Sequence, residues 1–288
     1  MTDDRRRFLT GLIGAPIAQS ASPAMHERAA DALGVRCHYQ LIEVAGADQA
    51  RLRALLDGVR DFGFAGVNVT FPYKEAVVPL LDELSPDARA IGAVNTVVVR
   101  EGRLVGYNTD ASGFERAVER LVAASHRGPV ALVGAGGVGK AIAFALANRG
   151  VAELAIFDSD QAKAMQLASQ LSGRLAVRVA ADVSDALQRA VGVINGTPVG
   201  MLPDRGSPIP DSLLHRDLWV ADAVYSPLWT PFLLAAKARG CEVMTGRELA
   251  IFQAADAFEL FTGLRPSTSE MGTAFDAVLA ARANPIAD

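Results

Sequence analysis

Apolar positions along this chain follow two rhythms. Short runs that are apolar at every second position, or continuously, give way to longer stretches with apolar residues three and four apart, and the exchange repeats nearly end to end. This succession predicts an α/β protein with parallel sheet. FLTGLIG (8–14), HYQLIEV (38–44) and FAGVNVT (64–70) read as strands. Between them, 23–33 reads as a helix with Ser22 as N-cap and Gly34 as its stop. A second helix, 48–60, carries Leu52, Leu55, Leu56 and Val59 on one face. Residues 73–81 read as helix, and AVNTVVVREGRLVGYNTD (93–110) as a hairpin turning at Glu101–Gly102.

From Ala111 the character changes. A helix over 112–124 leads through the polar link SHRG (125–128) into PVALVGAGGVGKAIAFALANRG (129–150), which reads as a buried strand, a glycine turn and a long apolar helix. ELAIFD (153–158), AVRVA (176–180), VGVING (191–196) and LWVADAVY (218–225) supply further parallel strands with helices between them. Long helices follow over 249–261 and 269–282, so the breaks in organisation fall near residues 111 and 246.

Composition narrows the function classes. The 288 residues suffice for two domains, each with its own core. A formal charge of −4 leaves no basic surplus to neutralise phosphates, which argues against nucleic acid as a partner. Two cysteines, Cys37 and Cys241, make no disulfide framework and suit a reducing compartment. Basic residues precede an apolar patch at the start of the chain, as in a signal peptide, but Gly14, Pro16 and Gln19 interrupt that patch. With no apolar run of membrane-spanning length, a soluble cytoplasmic protein is expected. His26, His38, His126 and His215 are read as structural, and no metal is expected because the histidines and cysteines lack ligand spacing.

Chemistry enters at the glycine turn. GAGGVG (134–139) places Gly134, Gly136 and Gly139 in the pattern G-x-G-x-x-G, after an apolar strand and at the start of a helix. The first glycine permits the tight turn, the second lets backbone approach a pyrophosphate, and the helix start, with Ala135, Gly137 and Val138 beside it, offers N–H groups to that anion. The following strand ends in Asp158, about twenty residues past the turn, where a carboxylate accepts from ribose hydroxyls and repels a 2′-phosphate. Ser159, Asp160 and Gln161 follow without an arginine, so NAD is favoured over NADP. The competing reading of Asp158 is a cap for the helix at 161–171, a role Asp160 could also fill.

Four polar clusters mark the first half. GVNVTFPYKEAV (66–77) ends a strand in Asn68, Thr70 and, after a proline, Lys74. GAPIAQSASPAMH (14–26) sets Ser20 and Ser22 before a proline-started helix, where hydroxyls and N–H groups suit a carboxylate. IGAVNTVV (91–98) buries the amide of Asn95, and GYNTDASGF (106–114) ends a strand with Asn108, Thr109 and Asp110. Singly, each has a structural explanation as a cap or a buried hydrogen bond. Together they recur at the ends of successive elements, where open α/β sheets bind ligands.

These motifs, G-x-P-I-x-x-S-x-S-P-x-x-H, G-V-N-V-T-x-P-x-K, G-A-V-N-T and N-T-D-x-x-G-F followed by V-G-A-G-G, resemble the shikimate/quinate dehydrogenase family over nearly the whole chain. The resemblance implies an N-terminal α/β substrate domain, 1–111, completed by C-terminal helices within 247–288. It implies a Rossmann-type doubly wound dinucleotide-binding domain over 112–246. Ser20 and Ser22 would grip the substrate carboxylate, and Asn68, Thr70, Asn95 and Gln253 would line the ring hydroxyls with Lys74 and Asp110. Tyr225, in AVYSPLWTP, would approach the substrate from the cofactor side, and Ala223, Thr197 and Gly246 would lie near the cofactor.

Lys74 and Asp110 are the family's catalytic pair. Oxidising a ring alcohol needs a group that takes the hydroxyl proton as hydride leaves carbon, and reduction needs the same group to return it. Lysine is a poor base at neutral pH unless burial assists it, and a nearby carboxylate pulls the other way, so Asp110 would hold and orient the pair. The implied reaction is reversible NAD-linked oxidation of shikimate to 3-dehydroshikimate, by a monomer or homodimer. Alternatives are a quinate/shikimate dehydrogenase of catabolism, a ligand-sensing module on the same fold, and, more remotely, a folate one-carbon dehydrogenase. This chain departs from the family pattern in Gln19 where histidine is common and in GRELAIFQ in place of G-x-x-M-L-V-x-Q. It departs again in Asp158–Ser159–Asp160 in place of the NADP signature asparagine–arginine–threonine, and in the bulky Trp229.

Overall fold

The computed structural model describes residues 6–283, so the first five residues of the basic start lie outside it. The chain divides into two compact units, Met1–Thr109 with Ile251–Asp288, and Asp110–Ala250.

In the first unit, β1 (Arg7–Gly14), β2 (Arg36–Glu43), β3 (Gly66–Val69), β4 (Glu83–Leu84), β5 (Thr96–Arg100) and β6 (Arg103–Tyr107) form one sheet in the order β2-β1-β3-β5-β6-β4. The first three strands run parallel, and β5 runs antiparallel to both β3 and β6. Arg100 pairs with Arg103, which leaves Glu101 and Gly102 as a two-residue turn with φ of 51° and 75°. Positive φ at both positions is the turn whose twist matches the flanking strands.

Helix α1 (Ser22–Ala32) stops where Gly34 turns left-handed at φ 69° and Val35 N–H reaches back to the Ala30 carbonyl at 3.0 Å. Its N-cap is Ala21, so Ser22 is the first helical residue and not the expected cap. Asp48 caps α2 (Gln49–Asp61), accepting from Arg51 N–H at 2.8 Å, and Leu52, Leu56 and Val59 are buried on its inner face. The helix expected over 73–81 does not form. Its only regular turn is a 3-10 turn, Val78–Leu80, because Pro79 lacks the N–H an α-helix needs and its ring excludes the carbonyl four residues back. In place of that helix stands α3 (Pro86–Ile91), capped by Ser85 and closed by left-handed Gly92.

In the second unit the strands β7 (Val130–Val133), β8 (Glu153–Phe157), β9 (Ala176–Val179), β10 (Gly192–Asn195), β11 (Trp219–Asp222) and β12 (Glu242–Met244) are all parallel, in the order β12-β11-β10-β7-β8-β9. Read from the β9 edge this is 3-2-1-4-5-6, and the direction of winding reverses between β7 and β10. Helices α4 (Thr109–Ala124), α5 (Gly137–Asn148), α6 (Gln161–Gln170), α7 (Val183–Leu187) and α8 (Pro231–Ala238) connect these strands or precede them. Every strand residue of β7, β10 and β11 is buried, and so is α5 from Gly139 to Leu146. That explains their continuous apolar runs.

The chain ends with α9 (Gly246–Thr262) and α10 (Thr268–Ala283), and α10 packs on α1 through contacts that include an Arg28–Glu270 ion pair. A Cβ on Gly66 would press into the Phe261 ring and the Val97 carbonyl, so α9 lies directly on the backbone of β3. Beneath it, His26 is 1% exposed among Tyr39, Phe258 and Phe261, with ring centroids 4.5, 5.9 and 6.0 Å away. Neither imidazole nitrogen has a hydrogen-bond partner, and burial pulls its pKa from 6.5 down to about 3.

A base whose folded pKa is depressed supplies stability at pH above 6.5 that is lost as pH falls toward 3, because only the unfolded chain takes up the proton. At about 1.36 kcal/mol per pH unit the loss is roughly 5 kcal/mol. Urea denaturation between pH 7 and 4 should therefore show His26→Leu losing less stability with acid than the parent; parallel pH profiles would refute this.

Candidate active site

The polar side chains of the first unit gather where β1 and β3 end. Ser20 Oγ accepts from Ser22 N–H at 3.2 Å, and the two hydroxyls are bonded to each other at 3.1 Å. Pro23 has no N–H, and Met25 N–H goes to the Ala21 carbonyl, so beside the serine hydroxyls the helix start offers an anion the Ala24 N–H. Of the two hydroxyl hydrogens one lies between the serines, which leaves one to donate outward. A single acceptor such as a carboxylate oxygen matches that remaining donor.

Deeper, five side chains form one buried network. Tyr39 Oη–H donates to Asn68 Oδ1 at 2.8 Å. Asn68 Nδ2 donates to the Asn95 carbonyl at 3.2 Å and to Thr96 Oγ1 at 2.9 Å. Asn95 Oδ1 accepts from Thr109 N–H at 2.7 Å and from Thr96 Oγ1 at 3.2 Å, while its Nδ2 donates to Thr109 Oγ1 at 3.0 Å. Asn108 Nδ2 donates to the Ala93 carbonyl at 2.9 Å. The sequence marks Asn68 and Asn95, and Thr96 as the last residue of G-A-V-N-T; Tyr39, which completes the bonding of Asn68, carries no local signal beyond sitting in a strand.

Thr70 follows β3, with its N–H on the Ile13 carbonyl at 2.9 Å and its own carbonyl taking Tyr73 N–H at 2.9 Å. The next turn carries Lys74, half-buried, whose carbonyl accepts from Val94 N–H at 2.8 Å. Tyr73 holds that turn from beneath: its hydroxyl donates to the Val44 carbonyl at 2.7 Å and accepts from Ala47 N–H at 2.9 Å. Gln253 is half-buried on α9.

In the second unit, Asp110 is buried in the first turn of α4, where a carboxylate is favoured by the helix dipole. The glycine turn joins β7 to α5 at the point where the sheet reverses its winding. Gly134 has φ 106°, and a Cβ there would meet Thr197 Cγ2 at 2.7 Å. A Cβ on Gly139 would lie 2.8 Å from the Gly134 carbonyl carbon, so this glycine lets the helix close on the turn. Gly136 differs. Its φ of −75° and ψ of −171° suit any residue, and a Cβ would meet nothing within 4 Å. No described atom crowds that position, and an open glycine beside helix-start N–H groups is the arrangement through which such turns admit a pyrophosphate in dinucleotide-binding folds.

Asp158 is tied to this turn. Its Oδ2 accepts from Ala135 N–H at 2.7 Å and its Oδ1 from Asp160 N–H at 2.8 Å, while Asp160 caps α6 by accepting from Ala162 N–H at 3.1 Å. The cap is therefore Asp160, and each Asp158 oxygen keeps a lone pair for another donor.

The strand ends beyond are organised by a residue that no sequence motif singles out. Asp222 is fully buried at the end of β11. Its Oδ1 accepts from Asn195 Nδ2 and Val224 N–H, both at 2.9 Å, and its Oδ2 from Thr230 Oγ1 at 2.6 Å. Burial pushes its carboxyl up to about 6, against the pull of these three bonds. Asn195 Oδ1 in turn holds Thr197 through N–H at 2.9 Å and Oγ1 at 2.7 Å. One carboxylate thus orders the loops bearing Thr197, Ala223 and Tyr225. Gly246 has a packing reason to be glycine, since a Cβ would meet the Ala223 carbonyl oxygen at 2.8 Å. Trp229 is exposed, with the Lys237 ammonium 4.5 Å over its ring. Among the described residues no group of His, Cys, Asp and Glu could hold a metal ion, and no helix is long and apolar enough to cross a membrane.

Two sequence families match the chain: "Shikimate dehydrogenase substrate binding domain" over residues 12–97 and "Shikimate / quinate 5-dehydrogenase" over 116–199. A quinate/shikimate dehydrogenase (NAD(+)) of Corynebacterium efficiens is 46% identical, covering 93% of this chain and 97% of its own. A shikimate dehydrogenase (NADP(+)) of Streptomyces avermitilis is 42% identical over 94% and 95%. Among solved structures, quinate dehydrogenase from Corynebacterium glutamicum in complex with NAD has a TM-score of 0.86 at 42% identity, covering 95% of this chain and 100% of its own. Shikimate 5-dehydrogenase from Thermus thermophilus, in complex with NADP(H) and shikimate, has 0.84 at 38% over 94% and 100%.

Because Gly136 is unconstrained within the protein, Gly136→Val should fold with an unchanged melting temperature yet weaken binding of NAD+ at least ~10-fold by fluorescence titration. Gly139→Ala should instead lower the melting temperature. A Gly136→Val protein that binds NAD+ as the parent does would remove the assignment.

Proposed function

The chain belongs to the shikimate/quinate dehydrogenase family, NAD(P)-dependent oxidoreductases acting on a ring hydroxyl, and on that premise we propose that it catalyses the reversible oxidation of shikimate to 3-dehydroshikimate with NAD+. The observation that carries the cofactor choice is Asp158, a carboxylate at the end of β8 bonded to the glycine turn, with Ser159 and Asp160 where a 2′-phosphate would need a cation. NAD(+) in the name of the 46% identical relative supports this reading, while NADP(+) enzymes stand at 42%.

Oxidation takes a hydride from a ring carbon and a proton from its hydroxyl. The nicotinamide bound at the second unit supplies the hydride acceptor. The first unit holds the acid: the outward hydroxyl hydrogen of the Ser20–Ser22 pair donates to the substrate carboxylate, and Asn68, Thr70, Asn95 and Gln253 bind ring hydroxyls. Lys74 takes the hydroxyl proton on oxidation and returns it on reduction, and Asp110 orients it. Tyr225 contacts the substrate, and Thr197, Ala223 and Gly246 lie along the nicotinamide side. We place the reaction in the cytoplasm, in a monomer or homodimer; the free thiols of Cys37 and Cys241 accord with a reducing compartment.

The second reading is that quinate is the preferred acid. Quinate carries an extra hydroxyl on the carboxylate-bearing carbon, and the names of the Corynebacterium relatives include it.

Initial rates with shikimate and quinate, each against NAD+ and NADP+, test both readings. We expect higher kcat/KM with NAD+, and Asp158→Asn should reduce that preference at least ~10-fold while raising the KM for NAD+, since a neutral amide would also hold the Ala135 N–H less strongly than the carboxylate does. Activity with NADP+ alone would overturn the Asp158 argument, and inactivity with both acids would overturn the substrate. Lys74→Ala should lower kcat at least ~100-fold with the affinity for NAD+ little changed; near-normal turnover would remove Lys74 from the proton transfer.

A further inference from the structure

Tyr39 belongs to no motif of the sequence, yet it is 3% exposed and meets two parts of the first unit. Its ring lies on the His26 imidazole of α1, the helix whose first residue is Ser22, and its hydroxyl donates to Asn68 Oδ1 at 2.8 Å. Both Nδ2 hydrogens of Asn68 are engaged, one by the Asn95 carbonyl and one by Thr96 Oγ1. A backbone carbonyl can only accept, so the amide cannot turn over, and Oδ1 must face Tyr39. The second lone pair of Oδ1 is then the only hydrogen-bonding capacity Asn68 has left.

We propose that Tyr39 is a positioning residue for the substrate: its hydroxyl holds in place the Oδ1 of an Asn68 amide that its Nδ2 bonds already make a pure acceptor, able to receive a ring hydroxyl but not to donate to a ring carbonyl. The proposal rests on the reading of Asn68 as a substrate-binding residue. It has a chemical consequence. The oxygen that reacts alternates between hydroxyl and carbonyl, and in the carbonyl form it would set lone pair against lone pair at Asn68. Asn68 therefore reads a hydroxyl that stays a hydroxyl throughout the reaction, and its contribution is equal for the alcohol and the ketone. Without the Tyr39 hydroxyl, the Asn68 side chain keeps its two Nδ2 bonds but loses the one bond that holds Oδ1, so the acceptor meets the substrate less firmly placed.

Steady-state kinetics of Tyr39→Phe, Asn68→Ala and the double variant test this. Tyr39→Phe should raise the KM for the hydroxy acid ~3–10-fold, the range expected for one hydrogen bond, and the KM for the keto acid by a similar factor. The KM effect should exceed that on kcat, and the KM for NAD+ should not move. In the Asn68→Ala background the same substitution should have no further effect on KM, a coupling that a general loss of packing would not produce. An active parent whose KM is unmoved or lowered by Tyr39→Phe, or effects that add in the double variant, would overturn this proposal alone. A parent inactive with shikimate and quinate would overturn the functional reading and this proposal with it. If Tyr39→Phe does not fold, Tyr39→Leu repeats the cycle; failure of both to fold would assign Tyr39 to stability and overturn the proposal.

Discussion

The need to satisfy buried amides governs the first unit. Asn68 and Asn95 are 7% and 3% exposed, and an unpartnered amide at such depth costs about 1–3 kcal/mol per missing bond. The solution is reciprocal: Asn68 is held by Tyr39 and Thr96, and Asn95 is held by Thr96 and Thr109. Since Asn95 Oδ1 takes the Thr109 N–H, the same bond that satisfies a strand residue fixes where α4 begins, and Asp110 is the next residue along. Starting α4 beside Asp110 and burying the sheet are one structural problem here.

The second unit solves a harder version with a charge. Asp222 has no cationic partner among its bonds, only an amide, a hydroxyl and a backbone N–H. A buried carboxylate without a counter-charge is costly, and its raised pKa of about 6 expresses that cost. Its three acceptor bonds nonetheless reach three chain segments at once, which no neutral side chain of its size could do with acceptors alone. Loop order at the ends of β10 and β11 is thereby concentrated in a single group.

Much of this is legible in the sequence, and the failures have particular causes. The continuous apolar runs of β7, β10 and β11 and the context of GAGGVG identify the doubly wound unit, because buried parallel strands and a glycine turn leave strong local signals. Over 73–81 the apolar spacing suggests a helix, but Pro79 outweighs it. The six-residue α3 is too short for periodicity, though its Ser85–Pro86 start and Gly92 stop spell out both ends. Ser22 resembles a cap, but Ser20 reaches the first N–H instead. The bonds of Tyr39 and Thr96 to Asn68, and of Asp222 to Asn195, cannot be seen at all, since each joins residues brought together only by the order of strands in a sheet.

The contact of Phe261 with the bare backbone at Gly66 bears on how the molecule is made. The first unit is written in two pieces, Met1–Thr109 and Ile251–Asp288, whereas the second is one unbroken stretch. During synthesis the dinucleotide unit can close its core as soon as its own residues emerge, but the earlier segment must wait for the segment from Ile251 onward before β3 receives its cover. Of the two units, the one whose synthesis begins earlier is therefore the one completed later.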